Sequence, residues 1–302
     1  MCESKNDSIK ILLPNDILKN INHLMHKTLV LGNIARFCSI FKVNEIIIYD
    51  SGETWKQKGF DISIIEDVLS YLATPQYLRK KIFVKQKTLA YAGVLPPLNT
   101  PNHPREVTER DEIFKEEKPC YRVGRIERVT NDKAWIDVGL SKEVELKHTT
   151  DVKLNQLVNL KMMETGQGIT CNIIDESEVP FYWGYKITIK REGLHPLLSN
   201  LKKSSVLIAT SKHGDNYKDL TQEGAKKNLD FTGKNITVVF GPRSTGLIRF
   251  FKSFDKMMDN FDLIINLFPD PGTKSIRLEE AIPIALFFIQ KIKKNRLENS
   301  KI

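Results

Sequence analysis

Short apolar runs alternate with longer amphipathic segments in the first part of the chain, and this pattern predicts alternating strands and helices. Residues 8–13 and 45–50 are apolar runs that predict buried strands, and the apolar positions between residues 18 and 41 have helical spacing. Asn15 or Asp16 is in position to cap that helix. A strand, a helix and a strand in this order predict a parallel α/β unit.

The middle of the chain has a different pattern. The proline-rich passage LPPLNTPNHPR, residues 95–105, has fixed φ angles and lacks several backbone donors, which excludes a regular element and indicates a boundary. Between residues 121 and 174, short runs of alternating polarity predict five strands. Strands of this length and number are typical of a small β-barrel of the OB type.

The C-terminal part returns to the α/β pattern. Apolar runs at residues 205–209, 236–240 and 263–266 predict strands, and a last helix begins near Leu278. We therefore predict an α/β fold with a parallel sheet, interrupted by a small OB-like β-barrel. The predicted segments are residues 1–104 and 181–302 for the α/β domain and residues 105–180 for the inserted barrel.

Composition narrows the class of protein. The chain has 302 residues, of which 41% are hydrophobic and 27% charged, so it can bury a core, and collagen-like, mucin-like and wholly disordered classes are excluded. The apolar run at residues 281–289 is shorter than the roughly 20 residues of a membrane-spanning helix. Four cysteines without a CxxC pair argue against a disulfide framework and a thiolate zinc site. We expect an intracellular protein, nuclear, nucleolar or cytoplasmic, that uses neither a membrane nor a metal.

The charge distribution suggests a polyanionic partner. The formal net charge is +9, and residues 68–105 contain no Asp or Glu. Aromatic rings interleave with the cations of this stretch, as base stacking and phosphate neutralisation require. A solvated surface over core aromatics is the alternative. The candidate RNA-binding residues are Arg79, Lys80, Lys81, Lys85, Lys87 and Arg105.

Three loops that follow predicted strands form the candidate site. In a parallel sheet ligands bind outside the carboxyl ends of the strands, which selects residues 209–215, 241–246 and 266–277. Gly241 and Gly246 bracket a turn in which backbone can approach a ligand, although glycines after strands are usually plain turn residues. The Walker A, GxGxxG, HExxH and GxSxG motifs are absent, so nucleotide hydrolysis, Rossmann redox chemistry and serine hydrolysis lack their usual parts.

Two motifs resemble a known superfamily. VVFGPRSTG, followed by LIINLFPDPGTKSIRLEEAIPIAL, resembles the C-terminal knot signature of the SPOUT methyltransferases, and GNIARFCSIFKVNEIIIYD resembles their N-terminal motif. YLRKKIFVKQKTLAYAGVLPPLNTPNHPR and FYWGYKITI further resemble one branch, RNA methyltransferases with an OB-like insertion, whose vertebrate member is also described as centromere-associated. The resemblance is weakest over the barrel and residues 212–235.

The resemblance implies a trefoil-knotted α/β domain, S-adenosylmethionine as cofactor and a homodimer that completes the active site. It implies RNA as the substrate, with ribosomal RNA favoured and uridine N3 as the expected acceptor. The implied cofactor-binding residues are Thr210, Ser211, Lys212, Gly241, Gly246, Asn266, Leu267, Pro269, Gly272, Thr273 and Ile276.

Three ionisable residues are candidates for the reaction itself. Arg36 matches the arginine that related enzymes place near the methyl acceptor, often from the partner subunit, and a cation there stabilises an acceptor base as it loses its proton. Arg277 and Glu280 lie on one face at the head of the last helix, so Arg277 is expected to orient substrate or cofactor while Glu280 holds it. A solvated position for Arg36 and a surface pair for the other two are the alternatives.

Two other functions stay open at this point. The chain could be a non-catalytic RNA-binding or ribosome-assembly factor, which the apolar bulk of Leu267 and Phe268 in a cofactor loop favours, or a protein methyltransferase. In the barrel, Tyr121 and Trp135 are candidates for stacking on RNA bases. Core positions are the alternative, and the context AWIDVG favours that alternative for Trp135.

Overall fold

The computed structural model describes residues 8–52, 59–104, 119–147, 152–165, 168–221 and 234–299. In chain order the elements are β1 (Ile9–Pro14), α1 (Leu24–Ile40), β2 (Val43–Asp50), α2 (Gly59–Ala73), α3 (Gln76–Ile82), β3 (Cys120–Val129), β4 (Lys133–Asp137), β5 (Val144–Lys147), β6 (Leu157–Thr165), β7 (Gly168–Ile174), β8 (Lys186–Gly193), α4 (Leu194–Leu201), β9 (Ser205–Asn216), α5 (Tyr217–Thr221), β10 (Asn235–Val239), α6 (Phe254–Met258), β11 (Leu263–Asn266) and α7 (Leu278–Asn299).

Contacts divide the chain into two compact units. The first unit consists of Met1–Ser70, Thr88–Pro96 and Tyr185–Ile302, and the second of Tyr71–Lys87 and Pro97–Gly184. By its contacts, the basic segment Tyr71–Lys87 belongs to the same unit as the β-rich middle of the chain, whereas the sequence pattern assigned it to the N-terminal α/β segment.

The first unit contains a six-stranded parallel sheet with the strand order β11-β9-β10-β1-β2-β8. Strands β1, β10 and β11 and the first half of β9 are almost fully buried, and most of β2 is buried too, which explains why they appear in the sequence as continuous apolar runs. The edge strand β8 is half-buried or exposed along its length. The predicted α/β fold with a parallel sheet, interrupted by a β-rich segment, is confirmed. The trefoil knot stays a prediction.

The start of α1 differs from the prediction. The helix begins at Leu24 rather than near Leu18, its N-cap is His23, and no side chain caps it. Asn15 is buried and instead accepts hydrogen bonds from the backbone amide (3.1 Å) and hydroxyl (2.6 Å) of Ser51. Asn15 therefore joins the ends of β1 and β2, and its prediction as a helix cap was wrong because its side chain is committed to that contact.

The second unit contains a five-stranded antiparallel sheet with the strand order β5-β4-β3-β6-β7. Inward-facing residues such as Ile126, Ile136 and Leu160 are fully buried, whereas their neighbours along each strand face outward. The first and last strands of this order, β5 and β7, also contact each other, so the sheet is nearly closed. The five predicted strands are confirmed, and the assignment to the OB type stays a prediction.

Within the ranges that the structure describes, no helix is long and apolar enough to cross a membrane.

Candidate functional site

The strand register brings the three predicted loops to one edge of the parallel sheet. Ala209 of β9 is aligned with Val239 of β10 on one side and with Ile264 of β11 on the other. Because the strands are parallel, the residues that follow leave the sheet at the same edge, which we call the carboxyl edge. The three loops therefore begin side by side.

The strand β9 contains an excursion at this edge. Ala209 pairs with Ile264 and Asp215 with Ile265, so residues 210–214 are additional on β9 and leave the regular ladder. A Cβ on Gly214 would lie 2.6 Å from the carbonyl carbon of Ile264, so only glycine allows the two backbones to approach there. The sequence analysis missed Gly214, although a glycine near the end of a predicted strand is a signal for such an approach.

Asn266 connects the excursion to the loop after β11. Its side-chain amide nitrogen donates to the carbonyl of Lys212 (3.0 Å), and its amide oxygen accepts from the backbone N–H of Phe268 (3.0 Å). Thr210 and Ser211 lie in the same excursion, where the Ser211 hydroxyl accepts from the amide of His213 at 3.3 Å. Four of the predicted cofactor residues are thus held together. Thr210, Ser211 and Lys212 are consecutive in the excursion, and Asn266 is hydrogen-bonded to it.

The glycines of the loop after β10 close the loop itself. A Cβ on Gly241 would lie 2.4 Å from the backbone nitrogen of Leu247, and Gly246 has a φ of 65°. The amide of Gly246 donates to the carbonyl of Pro242 (2.8 Å), and Leu247 is buried in the core. Loop closure is therefore sufficient to explain glycine at both positions. A direct contact of these glycines with a ligand stays a prediction.

The loop after β11 is mostly exposed. Leu267 is buried, Ile276 is half-buried, and Pro269, Gly272 and Thr273 are exposed. The Thr273 hydroxyl donates to the carbonyl of Ser275 (3.1 Å), so it is used within the loop. Ile276 and the buried Leu267 give this loop an apolar inner side.

Arg277 and Glu280 contact each other through the backbone. The Glu280 carboxylate accepts from the backbone amide of Arg277 at 2.8 Å, which satisfies a free donor at the start of α7. The Arg277 guanidinium lies 4.0 Å from the Glu279 carboxylate instead, and its side chain is 61% exposed. The expectation that Glu280 holds the Arg277 side chain is thus wrong for this structure, because helix capping occupies the carboxylate.

Arg36 lies far from the start of its helix. It is half-buried and four residues before the end of α1, which is followed by the first residue of β2 at Val43. The helix α1 packs against α7, and Gln290 of α7 donates to the carbonyl of Phe41 at 3.2 Å. Arg36 precedes Phe41 by five residues, or about 7.5 Å along the axis of α1.

The basic segment of the second unit contains two kinds of cation. The Arg79 guanidinium donates to the carbonyls of Thr74 (2.8 Å) and Leu72 (3.2 Å) and lies 4.6 Å from the Tyr71 ring centroid. Lys81 pairs with Asp137 (2.6 Å) and Glu127 (2.9 Å), and hydrogen bonds to these carboxylates raise the pKa of Lys81. Both cations are therefore committed to contacts within their own unit.

The remaining cations of that segment are exposed. Lys80, Lys85 and Lys87 all lie on the surface of the second unit, as does Val84 between them. Arg105 lies outside the described residues. The structure thus divides the predicted RNA-binding set: Arg79 and Lys81 have partners in their own unit, although Lys81 is also exposed, and Lys80, Lys85 and Lys87 are exposed cations.

Tyr121 and Trp135, the two candidate stacking residues, face away from the core of the barrel. Trp135 is half-buried and stacks under the Arg128 guanidinium, 4.4 Å from its ring centroid, so the core position favoured by its sequence context was wrong. Tyr121 packs edge-on against Phe181 (5.5 Å) and Trp183 (6.5 Å). Among the residues that the structure describes, no group of three or more His, Cys, Asp or Glu could hold a metal ion.

The comparison with known families decides the assignment. The profile of the family described as "Putative RNA methyltransferase" matches residues 8–289, nearly the whole chain. The chain belongs to this RNA methyltransferase family.

Curated relatives also match nearly the whole chain. The "28S rRNA (uridine-N(3))-methyltransferase" of Homo sapiens is 30% identical over 94% of this chain and 78% of its own, and the protein of the same name in Mus musculus is 29% identical over 94% and 76%. A solved structure, the SpoU methyltransferase AviRb from Streptomyces viridochromogenes in complex with AdoMet, aligns with 97% of this chain and 60% of its own. Its TM-score is 0.36 and its sequence identity 9%.

Proposed function

We propose that this member of the RNA methyltransferase family transfers the methyl group of S-adenosylmethionine to ribosomal RNA. The observation that carries the proposal is the common carboxyl edge from which the three loops leave, with Ala209, Val239 and Ile264 aligned across β9, β10 and β11. The human and mouse relatives, which are named for methylation of 28S rRNA, support RNA of this class as substrate. Their names also support N3 of uridine as the acceptor atom.

The chemical character of the three loops suits the cofactor. Adenine is a neutral ring that backbone amides and carbonyls can bind, and the edge supplies these groups from residues 210–212, 241–246 and 266–276. Buried Leu267 and half-buried Ile276 offer apolar contact to the ring. Thr210, Ser211, Lys212, Gly241, Gly246, Asn266, Leu267, Pro269, Gly272, Thr273 and Ile276 are therefore the proposed cofactor-binding residues.

The reaction places few demands on acids and bases. When bound, the cofactor supplies an electrophilic methyl group on a sulfonium. The acceptor N3 of uridine would give up its proton to solvent and take the methyl group, and S-adenosylhomocysteine would be the leaving group. The protein's main contribution is to orient the two reactants in line. Arg36 is the proposed electrostatic group, because a guanidinium stabilises the negative charge that uridine gains as it loses this proton.

The position of Arg36 supports a homodimer. Within one chain Arg36 lies toward the end of α1, whereas the three loops leave the sheet at the carboxyl edge. On the two packed helices, Ile40 of α1 and Ile284 and Phe287 of α7 are 52%, 44% and 60% exposed. We propose that these apolar side chains contact a second copy, so that Arg36 of one chain serves the loops of the other.

The exposed lysines of the second unit are the proposed RNA contact. Lys80, Lys85 and Lys87 can neutralise phosphates without breaking an ion pair, which is not true of Lys81. An RNA substrate supports the proposal that the protein acts inside the cell, in the nucleus, the nucleolus or the cytoplasm.

A methyl-transfer assay tests the proposed function. Purified protein is incubated with labelled S-adenosylmethionine and ribosomal RNA, and the digested RNA is analysed for 3-methyluridine. We expect label in this nucleoside, and a loss of at least about tenfold in rate for Arg36→Ala, since one electrostatic contact to a developing charge contributes on that scale. Absence of label, together with no heat on titration of S-adenosylhomocysteine, would favour the non-catalytic RNA-binding alternative.

A further inference from the structure

A buried tyrosine connects two distant strand ends of the parallel sheet. Tyr49, near the end of β2, is fully buried, and its hydroxyl donates to the carbonyl of Phe240 at 2.8 Å. In the sheet, β1 lies between β2 and β10, with Pro14 aligned to Tyr49 and Leu12 to Val239. The Tyr49 side chain therefore reaches past β1 to the residue that directly follows β10.

The Tyr49 ring also contacts the far end of the loop after β10. Its centroid lies 6.0 Å from that of Phe250 in an edge-on arrangement. Phe250 ends the short turn Leu247–Phe250, and Leu247 packs in the same buried cluster as Tyr49. One side chain thus holds both the entry of the loop, at Phe240, and its exit, at Phe250.

The hydrogen bond to Phe240 fixes the direction of a second group. The carbonyl of Phe240 and the N–H of Gly241 belong to one planar peptide, and in a trans peptide these groups point in opposite directions. Holding the carbonyl toward Tyr49 therefore turns the Gly241 amide away from the core. We propose that Tyr49 is a positioning residue for cofactor binding, which orients the Gly241 amide toward the cofactor; this inference rests on the proposed function.

The environment keeps the Tyr49 hydroxyl in the form that donates. Burial raises the pKa of Tyr49 well above its usual value, the negative charge of Asp16 raises it further, and only Arg249 acts in the opposite direction. The phenol is thus protonated at any pH at which the protein is assayed. Phe240 is itself buried, so its carbonyl has no access to water as a substitute partner.

The test removes only the hydroxyl, and the chain offers a matched control. Tyr185 is also buried and donates to the carbonyl of Leu69 at 2.9 Å, in the same unit but away from the loop. Binding of S-adenosylhomocysteine is measured by calorimetry for the wild type, Tyr49→Phe and Tyr185→Phe. We expect Tyr49→Phe to weaken binding about tenfold, as for a buried carbonyl left without its partner, and Tyr185→Phe to leave it within about twofold.

A second measurement is independent of the cofactor. Hydrogen exchange of peptides that cover residues 240–250 is followed without ligand, and we expect faster exchange in Tyr49→Phe only. Equal affinity in the wild type and Tyr49→Phe, or equal losses in both variants, would overturn the inference while leaving the proposed function intact. A wild type that fails to bind S-adenosylhomocysteine, with exchange unchanged in Tyr49→Phe, would overturn both.

Discussion

The two units of the protein use opposite means to build their candidate sites. At the carboxyl edge of the first unit, the groups brought together are backbone carbonyls and amides, which are held by Asn266, Tyr49 and two close glycine approaches. In the second unit, the exposed surface is held by charged pairs, such as Lys81 with Asp137 and Arg128 with Glu143. The first candidate site depends on where backbone groups are placed. The second depends on which cations are not paired with a carboxylate.

This difference teaches how to choose variants in each unit. A charge deletion is informative in the second unit, because a committed and an exposed lysine lie a few residues apart. At the carboxyl edge the backbone amides and carbonyls that are proposed to bind the cofactor cannot be removed by a side-chain substitution. The informative substitutions there are those that displace the backbone by a known amount.

The largest effect is expected from a methyl group at Gly241. The Cβ of Gly241→Ala would meet the Leu247 backbone nitrogen at 2.4 Å, and backbone cannot yield without displacing the buried Leu247 side chain. We expect a loss of about 3 kcal/mol in the free energy of unfolding, as for overpacking of a core. Thermal and denaturant unfolding measure it.

Gly272→Ala is the matched control for stability. Nothing lies within 4 Å of its added Cβ, and its φ is not positive, so stability should change by less than about 0.5 kcal/mol. Similar losses in the two variants would show that loop closure is not what requires glycine at position 241.

The next effect concerns RNA affinity. Replacing Lys80, Lys85 and Lys87 together by Ala is expected to weaken RNA binding by roughly 10- to 100-fold at moderate salt, because three phosphate contacts are lost. The slope of log affinity against log salt should decrease by about 2, at roughly 0.7 for each phosphate. Fluorescence anisotropy with a ribosomal RNA fragment measures both quantities.

Lys81→Ala is the matched control for the exposed lysines. Lys81 is paired with Asp137 and Glu127, so its loss should leave the salt dependence of RNA binding nearly unchanged. A decrease in slope as large as that expected for one of the exposed lysines would mean that Lys81 leaves its carboxylates to contact RNA.

Much of the architecture was predictable from the sequence because burial controls it. Continuous apolar runs identified five of the six parallel strands, and alternating runs identified the antiparallel ones. The strand β8 was missed because its residues are half-buried or exposed and form no apolar run. The details that failed depend on contacts between residues distant in the chain. Nothing local to Asn15 indicates that Ser51 will occupy its side chain, and the pattern around Glu280 is equally compatible with holding a guanidinium or capping a helix. Arg79 and Lys81 likewise resemble free cations until their partners are known.

A smaller effect is expected from a one-atom change at Asn266. Asn266→Asp keeps an oxygen that can accept from Phe268 but loses the donor to the Lys212 carbonyl, so the β9 excursion is released from the loop after β11. We expect S-adenosylhomocysteine to bind about fivefold more weakly, which corresponds to about 1 kcal/mol for one hydrogen bond. Calorimetry at low and high salt separates this loss from the effect of the new charge, because only the latter is screened. An affinity within error of the wild type at high salt would show that the excursion keeps its place without Asn266.

The smallest effect is a pH dependence in the second unit. His103 is largely buried, its Nε2 lies 3.0 Å from the carbonyl of Ala73, and burial lowers the pKa of His103 to about 4. Between pH 7 and pH 5 the unfolded chain takes up a proton at this position while the folded protein does not, so stability decreases as the pH falls. At pH 6 the loss should be about 0.8 kcal/mol relative to pH 7.5, given an unfolded pKa near 6.5. His103→Gln keeps a donor for Ala73 and cannot titrate, so denaturant unfolding of this variant should lose that part of the pH dependence; an unchanged pH profile would assign the acid sensitivity to other groups.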